Sequence, residues 1–412
     1  MRGIRHLKII IIIILVVQIF FINSSIYANS VGVPPEISAE AAIIIDLDRG
    51  QVLFEKYADR QFAGPMISKL MTILIAAENY IPQTGMTITA SINAAETPGR
   101  DNINLIAGNI YKTEDIISTA IMTLSENMCT ALYESIEPDP DKFVEIMNTK
   151  SESLAITNTL FSTPCGKIDE ICYTTPRDIA TFMQHALNIA FFNEVFSSRV
   201  RFVDNGLKPS GLIENDNDLF KRYDGMKGGT AIFFDDGKVS TITCVEKNNM
   251  KILSVLLYES KNKYISENIE LFDYCFDTYE RIMLAEKGKR VMDIEVGDET
   301  LHLIASNDIY YITKKGEDSI VEYEHLLIED ITAPVMAGTH AGTIRYTLED
   351  GTKILVSLQA ENNIYSSKIT MEEIIEKISS NKDVLQLVYI LLILEGLLII
   401  YYGTKFIVKK LQ

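Results

Sequence analysis

The chain has 412 residues, 47% of them hydrophobic and 23% charged, with a formal net charge of −18. That length exceeds one small domain and points to two folded domains plus targeting segments. Setting aside the six basic residues at the two ends and Glu395 leaves 32 basic and 55 acidic residues between 29 and 383, a net of −23, which excludes holding nucleic acid or anionic wall polymers through bulk charge.

Arg2, Arg5 and Lys8 precede a largely apolar run from Ile9 to Ile22, then a polar stretch ending Ile26-Tyr27-Ala28. This is the layout of an export signal over 1–28, cleaved after Ala28. The other reading is an uncleaved anchor, against which stands a run of about 14 residues where a span needs roughly 20. From about 35 to 287 helical and strand patterns mix. Ala41–Asp46 and Gln51–Phe54 read as strands around the turn Asp48-Arg49-Gly50, and Val239–Glu246 and Met250–Tyr258 repeat the pattern around Asn248-Asn249. Helical segments lie between these hairpins, at Lys69–Tyr80, Thr113–Leu132, Pro140–Leu154 and Pro176–Ala190. The expected class is therefore α+β, with one antiparallel sheet built from both ends of the domain and covered by helices.

From 288 to 375 the chain changes character. Val291–Val296, Leu301–Ala305, Ile309–Thr313, Ile320–Leu327, Thr343–Thr347 and Lys353–Leu358 read as strands of a small all-β domain. A polar helical stretch, Met371–Ile378, leads to Val384–Tyr402, 19 residues with only Gln386 and Glu395 strongly polar, followed by Lys405, Lys409 and Lys410. This predicts a transmembrane helix over 384–402 with a cytoplasmic tail at 403–412, and an extracytoplasmic remainder. A bundled core helix is the alternative reading. Glu395 near mid-membrane requires protonation or a partner.

Only His185 lies in the larger mature domain, so histidine-based hydrolysis and a zinc site have at most one imidazole to use. The five cysteines (Cys129, Cys165, Cys172, Cys244, Cys275) contain no CxxC, suggest no metal framework and read as small buried thiols. No cofactor is implied. Nucleophile activation by a buried lysine is the hydrolytic chemistry left.

Three segments occur in the order that chemistry needs. Met66-Ile-Ser68-Lys69-Leu-Met-Thr72 opens a helix, Ser125-Glu126-Asn127 ends a helical run, and Asp224-Gly225-Met226-Lys227-Gly228-Gly229 precedes strand-like sequence. They resemble the Ser-x-x-Lys, Ser-x-Asn and Lys-Thr-Gly motifs of the penicillin-binding serine-type D-alanyl-D-alanine carboxypeptidases. Each is weak alone, and Ser260 and Lys263 even form a Ser-x-x-Lys in the wrong place. Ala41–Tyr57, Leu105–Asn127, the stretch from Asn158 to Asp178 and Thr332-Ala-Pro-Val335 extend the resemblance to about 340 residues. It implies a transpeptidase-like domain at 35–287, a C-terminal β-domain at 288–375, and peptidoglycan stem peptides as ligands. The protein partner stays unknown.

The departures from the pattern bear on activity. Met66 stands where the nucleophilic serine is expected, and on a helix Ser68 lies about 200° round from it whereas Lys69 lies about 300° round. Ser68 is thus expected to face the core. Gly228 replaces the hydroxyl residue of the third motif, and Thr230 lies about 6 to 7 Å further along the same face. Lys69 and Ser125 remain as catalytic remnants. Asn127, Lys227, Gly228, Gly229 and Thr230 are the expected binding positions, with Lys227 supplying charge for a carboxylate. Three readings stand: a degenerate carboxypeptidase that binds or regulates, an active one with a relocated nucleophile, and a scaffold whose interactions run through the β-domain and the membrane helix with the cleft irrelevant.

Overall fold

A computed structural model describes residues 32–411 except 100–104, 168–170, 204–210, 330, 350, 366–374, 377–378 and 381. The expected export signal and most of the expected 371–378 helix lie outside the described residues. The chain divides into two compact units, one running to Arg281 and taking in Ile312–Glu317, the other holding Ile282–Tyr311 and the chain from Asp318 onward.

The first unit contains a five-stranded antiparallel sheet in the order Val52–Lys56, Ala41–Asp46, Met250–Ser260, Lys238–Lys247, Met226–Phe233. Both ends of the unit thus meet in one sheet, as the two hairpin patterns predict. Asn248 and Asn249 adopt φ of 53° and 61°, the left-handed pair that a two-residue hairpin needs and that asparagine tolerates. The helix Pro65–Asn79 runs through the core. Thirteen consecutive residues, Pro65 to Ala77, are buried, so its apolar surface continues all the way round rather than along one stripe. Ile43, Ile45, Leu253, Val255 and Leu257 of the sheet share its cluster.

The predicted Thr113–Leu132 helix is two helices, Thr113–Thr123 and Glu126–Ile136. Leu124 adopts a left-handed conformation with φ 47°, which stops the first helix, and Ser125 is the extended N-cap of the second. The Pro176–Ala190 pattern likewise divides into Pro176–Ala186 and Ala190–Phe196. A further helix, Tyr264–Thr278, packs on the two longest strands.

The second unit is dominated by another five-stranded antiparallel sheet, in the order Arg290–Val296, Glu299–Ala305, Lys353–Ala360, His340–Leu348, Ile320–Leu327. Residues alternate between exposed and buried along Lys353–Ala360, the signature of a sheet with one covered face. Leu301, Leu303, Ile344, Val356 and Leu358 form its core. The C-terminal helix Lys382–Leu411 contains a stretch, Lys382–Ile407, long and apolar enough to cross a bilayer, with mean hydropathy 2.4.

Glu259 is a fully buried carboxyl of the first unit, enclosed where the sheet meets Tyr264–Thr278. Thr241 Oγ1 donates to it at 3.0 Å and Asn268 Nδ2 at 2.9 Å. Burial pushes its pKa from 4.5 up to about 8, against the opposing pull of those two hydrogen bonds. Between these values the unfolded chain loses the proton and the folded chain keeps it. Stability is therefore fullest below about pH 4.5 and falls as pH rises toward 8, by an amount on the order of a few kcal/mol. Glu259→Gln is expected to raise Tm by several degrees at pH 8 and to leave it near the native value at pH 4. A melting curve displaced equally at both pH values would refute the assignment.

Candidate active-site cleft

Local geometry fixes the start of the helix Pro65–Asn79. Gly64 is its N-cap and Pro65 its first residue, where proline's fixed φ suits a helix and its missing N–H loses nothing. A Cβ on Gly166 would come within 2.3 Å of Pro65 O, and its φ is +67°, so only glycine lets the Pro164–Gly166 segment lie against this turn. Thr72 Oγ1 donates to Pro164 O at 2.6 Å and secures the same segment about two turns further along the helix. Met66 is buried among the core side chains, whereas Lys69 lines an open cleft of ≈1240 Å³. Ser68 is completely buried, its Oγ 3.2 Å from Cys172 Sγ. It faces the core, as the helical angle requires.

Ser125 also lines the cleft. Its Oγ donates to Asn127 Oδ1 at 2.7 Å, and Met128 N donates to the same oxygen at 2.9 Å. The Asn127 side chain lies under Gly99, where any Cβ would fall 2.6 Å from its amide. Asn127 therefore positions Ser125 and is shielded from the cleft. Cys165 and Cys129 are the nearby thiols. Burial pushes Cys165 up to about 11, outweighing the positive charge of Lys69, and raises Cys129 further still. Both remain thiols at neutral pH, so neither supplies a thiolate nucleophile. All five cysteines are buried, and none of them forms a disulfide.

The third segment departs from the expected arrangement. None of Lys227, Gly228, Gly229 and Thr230 is among the described residues lining the cleft. The strand register shifts at this point, with Gly228 opposite Cys244 but Met226 opposite Val245. Such a bulge re-aims the side chains around it. Lys227 is half exposed and pairs with Glu246 across the strands at 3.3 Å. A Cβ on Gly228 would lie 2.4 Å from the Phe196 ring. Thr230 Oγ1 donates to Ile121 O at 2.8 Å and is buried there, while Asn215 Nδ2 donates to Gly229 O at 2.8 Å. These residues bind the strand to its neighbours.

The cleft wall is formed by the next stretch, Ala231 to Asp236, together with Phe62, Glu40, Lys238 and Tyr258. Phe62, Tyr258 and Phe234 form a continuous aromatic surface, with centroids 6.2 Å and 5.0 Å apart. Sequence reading missed this wall because its residues belong to no short motif and come from four separate strands. The acidic pair Asp235-Asp236 in a hairpin tip is the one local signal.

Comparisons with known proteins agree with this architecture. A family model described as D-alanyl-D-alanine carboxypeptidase matches residues 28–261, and one described as penicillin-binding protein 5, C-terminal domain, matches 279–366. The D-alanyl-D-alanine carboxypeptidase DacF of Bacillus subtilis is 26% identical over 317 residues, covering 74% of this chain and 80% of the relative. DacA of Haemophilus influenzae is 26% identical over 347 residues, covering 80% and 86%. Among solved structures, penicillin binding protein 5 of Haemophilus influenzae superposes with a TM-score of 0.65 at 23% identity, covering 81% of this chain and 99% of that one. A peptidoglycan synthesis regulatory factor (PBP3) of Streptococcus pneumoniae gives 0.67 at 18%, covering 80% and 100%. These two share the fold.

The Phe196 contact has a measurable consequence. Gly228→Thr places a side chain into the Phe196 ring and is expected to destabilise the protein by about 1–3 kcal/mol, the usual range for overpacking. In the background of Phe196→Ala the same substitution should cost much less. Additive effects in a double-mutant cycle followed by urea unfolding would show that the two side chains do not meet.

Proposed function

Because this chain belongs to the D-alanyl-D-alanine carboxypeptidase family, we propose that it is a non-catalytic member, a wall-facing protein that holds peptidoglycan stem peptides without cutting them. The observation that carries this reading is Met66. Its thioether has no proton to give up to Lys69 and forms no stable acyl adduct, and it is packed into the core. Losing the serine of a comparable nucleophile and base unit lowers turnover on the order of a million-fold. The rival nucleophile Ser68 is enclosed against Cys172, and the Ser125 hydroxyl is committed to Asn127.

What remains favours weak, reversible binding. Lys69 and Ser125 face the cleft, and the aromatic wall offers apolar surface. The leader sequence and the apolar helix Lys382–Ile407 support an exported protein anchored at its C-terminal end, with the cleft and the β-domain outside the membrane. In that location it would act as a binding or regulatory protein of the wall.

Labelling with a fluorescent penicillin tests the reading. Neither the native protein nor Met66→Ser is expected to form a covalent adduct, because Lys227 is paired with Glu246 and the Phe196 ring fills the space beside Gly228. Labelling of the native protein would overturn the proposal. Labelling of Met66→Ser alone would mean that the loss is confined to the nucleophile.

A further inference from the structure

We propose that the chain pairs with a second copy of itself inside the membrane, through one face of the helix Lys382–Leu411 on which Glu395 of each copy meets Glu395 of the other. This rests on the reading above that Lys382–Ile407 spans the bilayer.

The first observation is the depth of Glu395. It stands 13 residues from Lys382 and 12 from Ile407, the ends of the apolar stretch, which is about 20 Å and about 18 Å along a helix. Either distance is several times the reach of its side chain. The carboxyl therefore does not snorkel to water as a charged residue near a helix end does.

The second observation is that its own helix offers it no side-chain partner. The residues one turn away in each direction, where a neighbour on the same helix would meet it, are Leu391, Leu392, Leu398 and Ile399. None of the most apolar part of the stretch is buried inside the protein. A carboxyl at this depth calls for a hydrogen-bonding group at the same depth.

The third observation is shape. Gly396 and Gly403 lie about two turns apart on one side of the helix, and a Cβ at either would meet no atom within 4 Å, so another helix has open access to the backbone there. Glu395 and Gly396 bracket an arc of about 100° that also holds Leu392, Ile399 and Gly403, and both Leu392 and Ile399 are exposed. Acid, glycines and apolar side chains thus share one face. Small residues let two helices approach closely enough for packing and interhelical hydrogen bonds to hold them together in lipid.

Topology selects the occupant. Copies inserted by the same route are parallel, and each carries its Glu395 at the same depth. A second copy therefore brings a carboxyl to the height where one is needed, whereas its nearest cation, Lys405, lies ten residues further along, about 15 Å away. Two carboxyls that share a proton are hydrogen-bonded and carry one charge between them. Parallel packing with the glycines at the seam also sets Glu395 of each copy against Gly396 of the other, as one wall of the hole into which that position fits. Such a pair holds two clefts at one point on the membrane, so a polymer bearing many stem peptides is gripped at two positions with higher avidity.

The test uses the full-length protein carrying Gln412→Cys, labelled with a donor or an acceptor dye and mixed in phosphatidylcholine vesicles. The native thiols are buried and stay unlabelled in the folded protein. Flotation of the vesicles after an alkaline wash comes first: protein left in the lipid-free fraction would refute the spanning helix, and this inference with it. In protein that floats, energy transfer is expected to persist as lipid is added and to fall when unlabelled native protein is mixed in. Glu395→Leu should weaken the pairing by about threefold or more, the scale of interhelical hydrogen bonds in lipid. Glu395→Gln, whose amide still hydrogen-bonds, should keep most of it. Transfer that vanishes on lipid dilution of floating native protein, or transfer undiminished in Glu395→Leu, would overturn the inference and leave the membrane span standing.

Discussion

The enclosure of the helix Pro65–Asn79 is the constraint from which the rest of the first unit follows. A helix buried on every side can sit in only one rotation, because each face meets a different neighbour at close-packed density. Its rotation sends Ser68 toward Cys172 and Lys69 toward the cleft, with Met66 sealed between them and the core. The glycines at 64 and 166 allow the flanking chain to close over its first turn. With that helix set, the pair Thr113–Thr123 and Glu126–Ile136 packs beside it and delivers Ser125 to the same opening.

The fold was largely legible because its signals are local or periodic. Two asparagines in left-handed conformation mark the central hairpin, and alternating burial marks the β-domain strands. The candidate site was legible only in part. Lys69 and Ser125 were assigned by the resemblance of their segments to short motifs, and both line the cleft. Lys227 was assigned to the cleft by motif order, yet a single register shift beside Val245 turns it to Glu246. In a strand one residue of slip exchanges the faces, and no short motif reports a bulge. The break at Leu124 escaped for a related reason, since leucine is a good helix former and its left-handed φ is imposed by tertiary packing.

The changes at the three motifs reinforce one another. A thioether stands at the position the motif gives to the nucleophile, a phenyl ring fills the space beside Gly228, and the lysine of the third segment pairs with a carboxylate. On the proposed reading, each removes a different requirement of acyl transfer: the attacking group, room for the motif's hydroxyl, and charge for the substrate terminus. The fold itself needs none of them, so the cleft persists with its walls redecorated by acids and aromatic rings. A binding protein can retain such a cleft because affinity depends on what lines it, whereas turnover also depends on a competent nucleophile.

The most direct test of this account is to incubate the full-length protein with a D-alanyl-D-alanine-terminated peptide and to weigh the peptide afterwards by mass spectrometry. The account predicts that the peptide is recovered at its original mass after many hours. Recovery of peptide shortened by one alanine, at a rate proportional to protein concentration, would contradict it.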